Sequence, residues 1–278
     1  MRRMIDLSQL HPTLAVAARA AHAAADIIRA AAADRAALQV REKQRNDFVT
    51  QVDVAAEQAI VATVLEAFPG HSVRGEESQQ PHGAAGSDHV WIVDPLDGTA
   101  NFIHGYPAFS VSVALAVGGV VQHGVVLDVA HGQLYHASRG QGAWCDGRRL
   151  RLATRAGLDG ALVATSCPAR PGPLFQRDVD MLAAVMARGA AIRRSGSAAL
   201  DLAWTAAGYC DAAFDRGLNA WDVAAGSLLV QEAGGWVRNF SGGADFLEAR
   251  ETVAGNPAVA QALLTLLAPY AAQAASSG

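Results

Sequence analysis

The sequence predicts an α/β fold (α+β in its strand order) in which sheets and helices stack as layers. Three observations predict it: an Ala-rich helical stretch over residues 11–34, a glycine-punctuated antiparallel meander over 109–147, and short strands alternating with helices over 161–235. Strands and helices that alternate after a meander must bury sheet faces against helices, so layered packing follows.

Leu14, Ala18, Ala21, Ala25 and Ile28 recur at helical spacing on an alanine background, which makes residues 11–34 a long first helix. Residues 50–68 form a second, with Asp53 near its start, Ile60, Val61, Val64 and Leu65 in helical register, and Pro69-Gly70 as its stop. A short strand over 71–74 and a polar loop over 79–89 follow. Residues 90–93 have the β-branched content of a strand, and Pro95 predicts an end to ladder pairing and a turn there. A short helical turn covers 99–104. Ser110 to Val117 alternates small polar with apolar residues, Gly118-Gly119 turns, residues 120–129 run back, and His131-Gly132 turns again. Gly140-Gln141-Gly142 lacks a strand-then-helix context and reads as turn chemistry, not a phosphate loop. Strands are then expected at 161–165, 190–194 and 212–214, with helices at 179–187, 198–207 and 223–233. With no linker and no repeat, one domain over 1–278 is expected, its halves (about 8–155 and 156–270) sharing an interface.

A chain of 278 residues that is 51% hydrophobic can bury a large core. Charged residues make up only 17%, the formal net charge is −4, and Arg193-Arg194 and Arg148-Arg149-Leu150-Arg151 are too short to mark a nucleic-acid surface. Cys145, Cys167 and Cys210 are scattered and odd in number, against a disulfide framework or zinc site and in keeping with a reducing compartment. No apolar run reaches membrane-spanning length and the first residues lack a signal-peptide pattern, so a cytoplasmic protein without membrane or nucleic-acid partners is expected.

Three acidic motifs carry the chemistry. Asp94-Pro95-Leu96-Asp97-Gly98-Thr99 places two carboxylates across a turn at the end of a strand, with a flexible glycine and a hydroxyl beside them. That is half of a divalent-metal phosphate site, although an Asp-Gly turn with solvated acids has the same signature. Asp222 in Trp221-Asp222-Val223-Ala224-Ala225-Gly226 stands where a helix N-cap belongs, and capping alone explains such a residue. Gly75-Glu76-Glu77-Ser78 by itself reads as a solvated turn.

Together, in this order and context, the motifs resemble the inositol monophosphatase family of magnesium-dependent, lithium-sensitive phosphatases. The resemblance runs from about residue 11 to 268 and includes Asn46-Asp47-Phe48-Val49-Thr50-Gln51-Val52-Asp53 and Gly196-Ser197-Ala198-Ala199. It implies a layered αβαβα sandwich of the inositol monophosphatase and fructose-1,6-bisphosphatase type. It also implies two or three Mg²⁺: Glu76, Asp94 and the Leu96 carbonyl hold the first, Asp94, Asp97 and Asp222 the second, and Glu76 shares a third. Hard oxygen donors without His or Cys suit that ion. Thr99 and Asp53, with Glu76 beside them, would orient and deprotonate the attacking water, while the Gly98 and Thr99 amides would cradle phosphate. Asp97, Gly98, Thr99, Ser197, Ala198, Asp215 and Asp222 would meet the substrate, Asp215 where inositol phosphatases carry Glu for ring hydroxyls. Lys43 reads as a phosphate contact or a solvated lysine, Asp47 as support for the site or for its turn, and Arg216 as a substrate, dimer or surface residue. His104 reads as packing, the other histidines as surface, and Trp91, Trp204 and Trp221 as core.

The implied activity is Mg²⁺-dependent hydrolysis of a small polyol phosphate, foremost myo-inositol 1-phosphate, by a homodimer. Histidinol phosphate, 3′-phosphoadenosine 5′-phosphate and fructose 1,6-bisphosphate are alternative substrates, and a non-catalytic regulatory protein on the same fold is the alternative of another class. All of Glu76, Asp94, Asp97, Thr99 and Asp222 are present, which favours the enzyme.

Overall fold

Two sheets organise the chain, and each residue's face is set by strand alternation. A computed structural model describes residues 7–44, 47–167 and 174–271. The N-terminal part contains α1 (Pro12–Ala32), the hairpin β1 (Val40–Gln44) and β2 (Asp47–Thr50), and α2 (Gln51–Ala67). Then come β3 (Ser72–Gly75), β4 (His82–Gly83), β5 (His89–Asp97), the short α3 (Thr99–His104), and the meander β6 (Ser110–Val117), β7 (Val120–Asp128), β8 (Gln133–Ser138), β9 (Ala143–Cys145) and β10 (Arg148–Arg149). The remainder is β11 (Leu162–Ala164), α4 (Phe175–Met186), β12 (Ala191–Arg193), α5 (Ala198–Ala206), β13 (Ala212–Arg216), α6 (Ala220–Glu232), β14 (Trp236–Arg238), α7 (Phe246–Ala249), β15 (Glu251–Gly255) and α8 (Pro257–Leu267).

Among the described residues the larger sheet has the order β10-β9-β8-β7-β6-β5-β3-β4 and the smaller β12-β11-β13-β15-β14. Trp91 and Val93 of β5 face α1 and α2, whereas Ile92 between them faces α5 and α6. On the smaller sheet Ala213 joins that same α5–α6 core, while Ala212 and Phe214 face α4 and α8. The order of layers is therefore helices, sheet, helices, sheet, helices, which is the αβαβα arrangement expected.

The middle layer explains the alanine and glycine content. Residues Val223 to Val230 of α6 are all buried, because a helix between two sheets has no solvent face. Gly226 sits against α5 so closely that a Cβ there would lie 2.5 Å from Leu202 Cβ, so small residues set the thickness of this layer.

The structure departs from the sequence-based expectations at several points. Pro95 does not end β5. Asp94 pairs with Ser112 and Asp97 with Ser110, so three steps on β5 oppose two on β6. The extra residue is a β-bulge, which tolerates proline and turns the strand end toward the second half of the chain. The polar loop at 79–89 contains β4, paired to β3. Trp91 is fully buried, but Trp204 and Trp221 are only half-buried. His104 is exposed and not a packing residue, and His136 is buried among neighbours that leave both ring nitrogens without a partner. Cys145, Cys167 and Cys210 are all buried, and no two of them are joined in a disulfide. No helix among the described residues is long and apolar enough to cross a membrane.

Candidate active site

The bulge at the end of β5 delivers the first acids. Asp94 is buried, and its Oδ1 accepts from the Leu96 amide at 3.0 Å, which fixes the carboxylate across the bulge. Asp97 lies at the start of α5, where it accepts from Ser197 Oγ at 2.5 Å, from the Ala199 amide at 2.8 Å and from the Ala198 amide at 3.3 Å. A helix N-terminus favours a carboxylate, so Asp97 ties the two halves of the molecule together.

Asp222 arrives on α6. It is not the N-cap, as expected from sequence, because Asn219 takes that position. Asp222 is the third residue of the first turn and reaches back to the Asn219 amide at 2.6 Å. Carboxylate oxygens of Asp94, Asp97 and Asp222 lie within 4.8 Å of one another. Glu76, just past β3, lines the same cavity without belonging to that tight trio. The parallel pairing of Gly75 with Val93 sets Glu76 beside Asp94.

This cavity, about 200 Å³, is lined by Glu76, Asp94, Leu96, Asp97, Gly98, Thr99, Ala100, Ala198 and Asp222, together with Phe48, Ser166, Arg194, Gly196 and Leu218. Burial, and then the charges of Glu76, Asp97 and Asp222, hold Asp94 well above the ordinary carboxylate range. Asp222 is raised for the same reasons, by burial, Asp97 and Glu76. Burial raises Asp97 too, against the opposing effect of its hydrogen bonds. Acids gathered this closely repel strongly unless protons or cations compensate. Hard oxygen donors converging on one cavity fit a divalent cation such as Mg²⁺. Asp94, Asp97 and Asp222, with Glu76 and the Leu96 carbonyl beside them, are the groups that could hold it.

Thr99 opens α3. Its hydroxyl is 2.9 Å from Asp53 Oδ1 and 3.0 Å from the Leu96 carbonyl. Asp53 is buried, and its other oxygen takes the Thr50 amide at 2.8 Å and the Thr50 hydroxyl at 2.6 Å. Burial raises its pKa and these hydrogen bonds oppose the rise. Gly98 precedes the helix with φ +91°, and a Cβ there would meet the Ala108 carbonyl at 2.9 Å, so only glycine closes this turn.

Two of the expected substrate residues lie behind the wall. Ser197 is fully buried and spends its hydroxyl on Asp97 and on capping α5. Asp215 is 4% exposed and accepts from the Ser166 amide and the Thr165 hydroxyl. Ala198 does line the cavity. Arg216 forms an ion pair within the chain, its Nε 3.0 Å from Asp178. Side chains of Lys43 and Asp47, and Asn46 altogether, lie outside the described residues.

Sequence reasoning missed three supports. Buried Glu57, one helical turn beyond Asp53 on α2, accepts from the Glu77 amide at 2.8 Å and from the Ser78 hydroxyl, which shapes the turn carrying Glu76. Its spacing of four residues from Asp53 was the available signal. Asn101 donates to the Ala108 and Ser195 carbonyls at 2.6 and 2.8 Å and joins α3 to the loop before α5. The Arg74 guanidinium lies 5.6 Å from the Trp221 ring, bridging the neighbourhoods of Glu76 and Asp222.

The αβαβα sandwich with this acidic cavity defines the class of the protein by its fold, and comparison with known proteins gives the family. Residues 9–275 match the Inositol monophosphatase family, and the chain belongs to it. Nus factor SuhB of Pseudomonas aeruginosa is 46% identical over 264 residues, covering 94% of this chain and 97% of that protein. Nus factor SuhB of Escherichia coli K12 is 43% identical, covering 92% and 95%. Among solved structures, extragenic suppressor protein suhB from Bartonella henselae has a TM-score of 0.87 at 38% identity, covering 91% of this chain and 96% of that one. Inositol monophosphatase from Anabaena (Nostoc) superposes with a TM-score of 0.79 at 31% identity, covering 91% and 94%.

Proposed function

We propose that this protein is a Mg²⁺-dependent phosphomonoesterase of small polyol phosphates, with myo-inositol 1-phosphate as the reference substrate. The observation that carries this reading is the convergence of Asp94, Asp97 and Asp222, from three separate places in the chain, to within 4.8 Å beside Thr99 and Glu76. Asp94, Asp97 and Asp222, with Glu76 and the Leu96 carbonyl beside them, are the residues that would hold the cations.

Bound Mg²⁺ would supply Lewis-acid neutralisation of the phosphoryl oxygens and make water more acidic. The protein supplies the rest. Gly98, Thr99 and Ala100 line the cavity, and the first amides of α3, which have no acceptor within the helix, are the groups that would orient phosphate there. Thr99 Oγ1 holds the attacking water, and its proton passes through that hydroxyl to Asp53 Oδ1, 2.9 Å away. Asp53 is suited to accept it because burial already raises its proton affinity.

The test is phosphate release from inositol 1-phosphate, histidinol phosphate, fructose 1,6-bisphosphate and 3′-phosphoadenosine 5′-phosphate. Release that requires Mg²⁺ and stops in EDTA is expected for at least one ester; no release from any of them in Mg²⁺ overturns the reading.

A second reading has one observation behind it. The curated relatives bear the name Nus factor, a role distinct from ester hydrolysis, and it bears against a small phosphate ester as the sole partner. Equal rescue of a Pseudomonas aeruginosa strain lacking its SuhB by the wild-type chain and by Asp94→Asn would favour this non-catalytic role.

A further inference from the structure

We propose that a second cavity, between the start of α1 and the β8–β9 edge of the larger sheet, binds an uncharged planar nitrogen heterocycle, independently of the phosphatase reading above. It measures about 370 Å³, within the range of small-molecule sites, and shares no lining residue with the acidic cavity. Gln9 and His11 reach it from ahead of α1, His136 and Ser138 from β8, Gln141 from the turn into β9, and Trp144 from β9 itself. Strand pairing places His136 on the row of Val93, Val113 and Val125. Three strand spacings then separate it from β5 by roughly 14 Å.

His136 is the residue that points to a ligand. It is 5% exposed, and both its ring nitrogens lack a partner among the described residues. Val125 opposite it and Leu134 two residues before it are apolar core on the same face of the sheet. An apolar side chain would fill this position without the cost of an unpaired imidazole, since buried polar groups in folded proteins nearly always find a partner. Burial pushes the His136 pKa down to about 4, so at neutral pH the ring is uncharged and offers one N–H donor and one bare nitrogen acceptor. The ring torsion of a histidine is soft, and a small turn brings a nitrogen to the edge of a ligand.

The other groups fit the same class of molecule. Trp144 lies directly opposite His136 across the β8–β9 ladder and offers an aromatic surface to a flat ring. Its Nε1 donates to the Gln141 carbonyl at 3.2 Å, which fixes the indole. Ser138 Oγ is 2.8 Å from His123 Nδ1, and His123 stacks on His11 with ring centroids 4.6 Å apart, so the polar wall is braced. Among the described residues the lining contains no Asp, Glu, Lys or Arg, so nothing there offsets a charged ligand. A neutral flat ring that both donates and accepts at its edge, as a purine base does, matches these groups.

Adenine, nicotinamide and uracil are the probes, with cyclohexanol as a control that has neither a flat ring nor a ring nitrogen. Calorimetric titration of the wild-type chain is expected to show at least one heterocycle binding with a Kd of about 1 mM or tighter, and no binding of cyclohexanol. His136→Leu should weaken that binding about tenfold or more, and Asp94→Asn, in the acidic cavity, should leave it unchanged. Wild-type crystals soaked in the tightest of the three should show its ring against His136 and Trp144, a result that stands even if His136→Leu does not fold. No binding of any probe, equal binding in His136→Leu, or loss of binding in Asp94→Asn overturns the assignment. So do soaked crystals that hold only ordered water or the protein's own atoms against His136.

Discussion

Asp94→Asn is expected to abolish Mg²⁺-dependent phosphate release while making the metal-free protein more resistant to heat. Both effects have one cause. Asp94 is buried at the centre of the acidic cluster, and the charges of Glu76, Asp97 and Asp222 all act on it. Two carboxylates about 5 Å apart repel by roughly 3 kcal/mol at an effective dielectric of about 20, so removing the central charge relieves an unfavourable interaction. A gain of about 1–3 kcal/mol in EDTA follows, read as a higher melting temperature. Activity should fall on the order of 10³-fold or more, because an amide cannot supply the charge that offsets a divalent cation.

The same reasoning fixes a pH dependence. A carboxyl group whose folded pKa is raised holds its proton longer in the folded state than in the unfolded one. Stability of the metal-free wild type therefore falls as pH rises above the ordinary carboxylate value of 3.8. Asp94→Asn should flatten that slope, and Mg²⁺ should cancel it in the wild type by binding only the folded state. A variant that melts lower in EDTA, or that keeps its turnover, contradicts the role assigned to Asp94.

Thr99→Val should lower kcat about 10²- to 10⁴-fold with little change in the Mg²⁺ concentration that gives half-maximal rate. Valine keeps the shape and β-branching of threonine but removes the hydroxyl that joins the cavity to Asp53 at 2.9 Å. It takes away the proton path and leaves every carboxylate of the cluster in place. Thr99→Ser, which restores the hydroxyl, should recover most of the rate. The check is steady-state kinetics across a Mg²⁺ titration. A kcat within a few-fold of wild type, or a loss that high Mg²⁺ repairs, would show that Thr99 serves metal binding or packing instead.

What could be read from the sequence follows from how local each feature is. Asp94, Asp97 and Thr99 are neighbours in one motif, and the Ala-rich periodicity of α1 needs no knowledge of its partners. The site's depth was not local. Nothing in Phe214-Asp215-Arg216 shows that Asp215 is spent on the Ser166 amide or that Arg216 is paired with Asp178, because both partners lie more than 35 residues away. Ser197 was recognised by its motif, yet its burial beneath Asp97 depends on how α5 meets β5 across 100 residues. Pro95 misled for a related reason: whether a proline ends a strand or sits in a bulge depends on the neighbouring strand, here β6. The elements β14, α7 and β15 are three to five residues long, too short for periodicity to reveal, and they find their places by pairing and packing.

The central claim is that the Asp94–Asp97–Asp222 cluster holds divalent cations that gather a phosphate ester. Anomalous diffraction from crystals soaked in Mn²⁺, a close stand-in for Mg²⁺, tests it most directly. The account predicts at least one anomalous peak within bonding distance of oxygens from both Asp94 and Asp97 or Asp222, lost in Asp94→Asn crystals. An empty cavity at Mn²⁺ concentrations that support full turnover, or ions bound only elsewhere on the molecule, would contradict it.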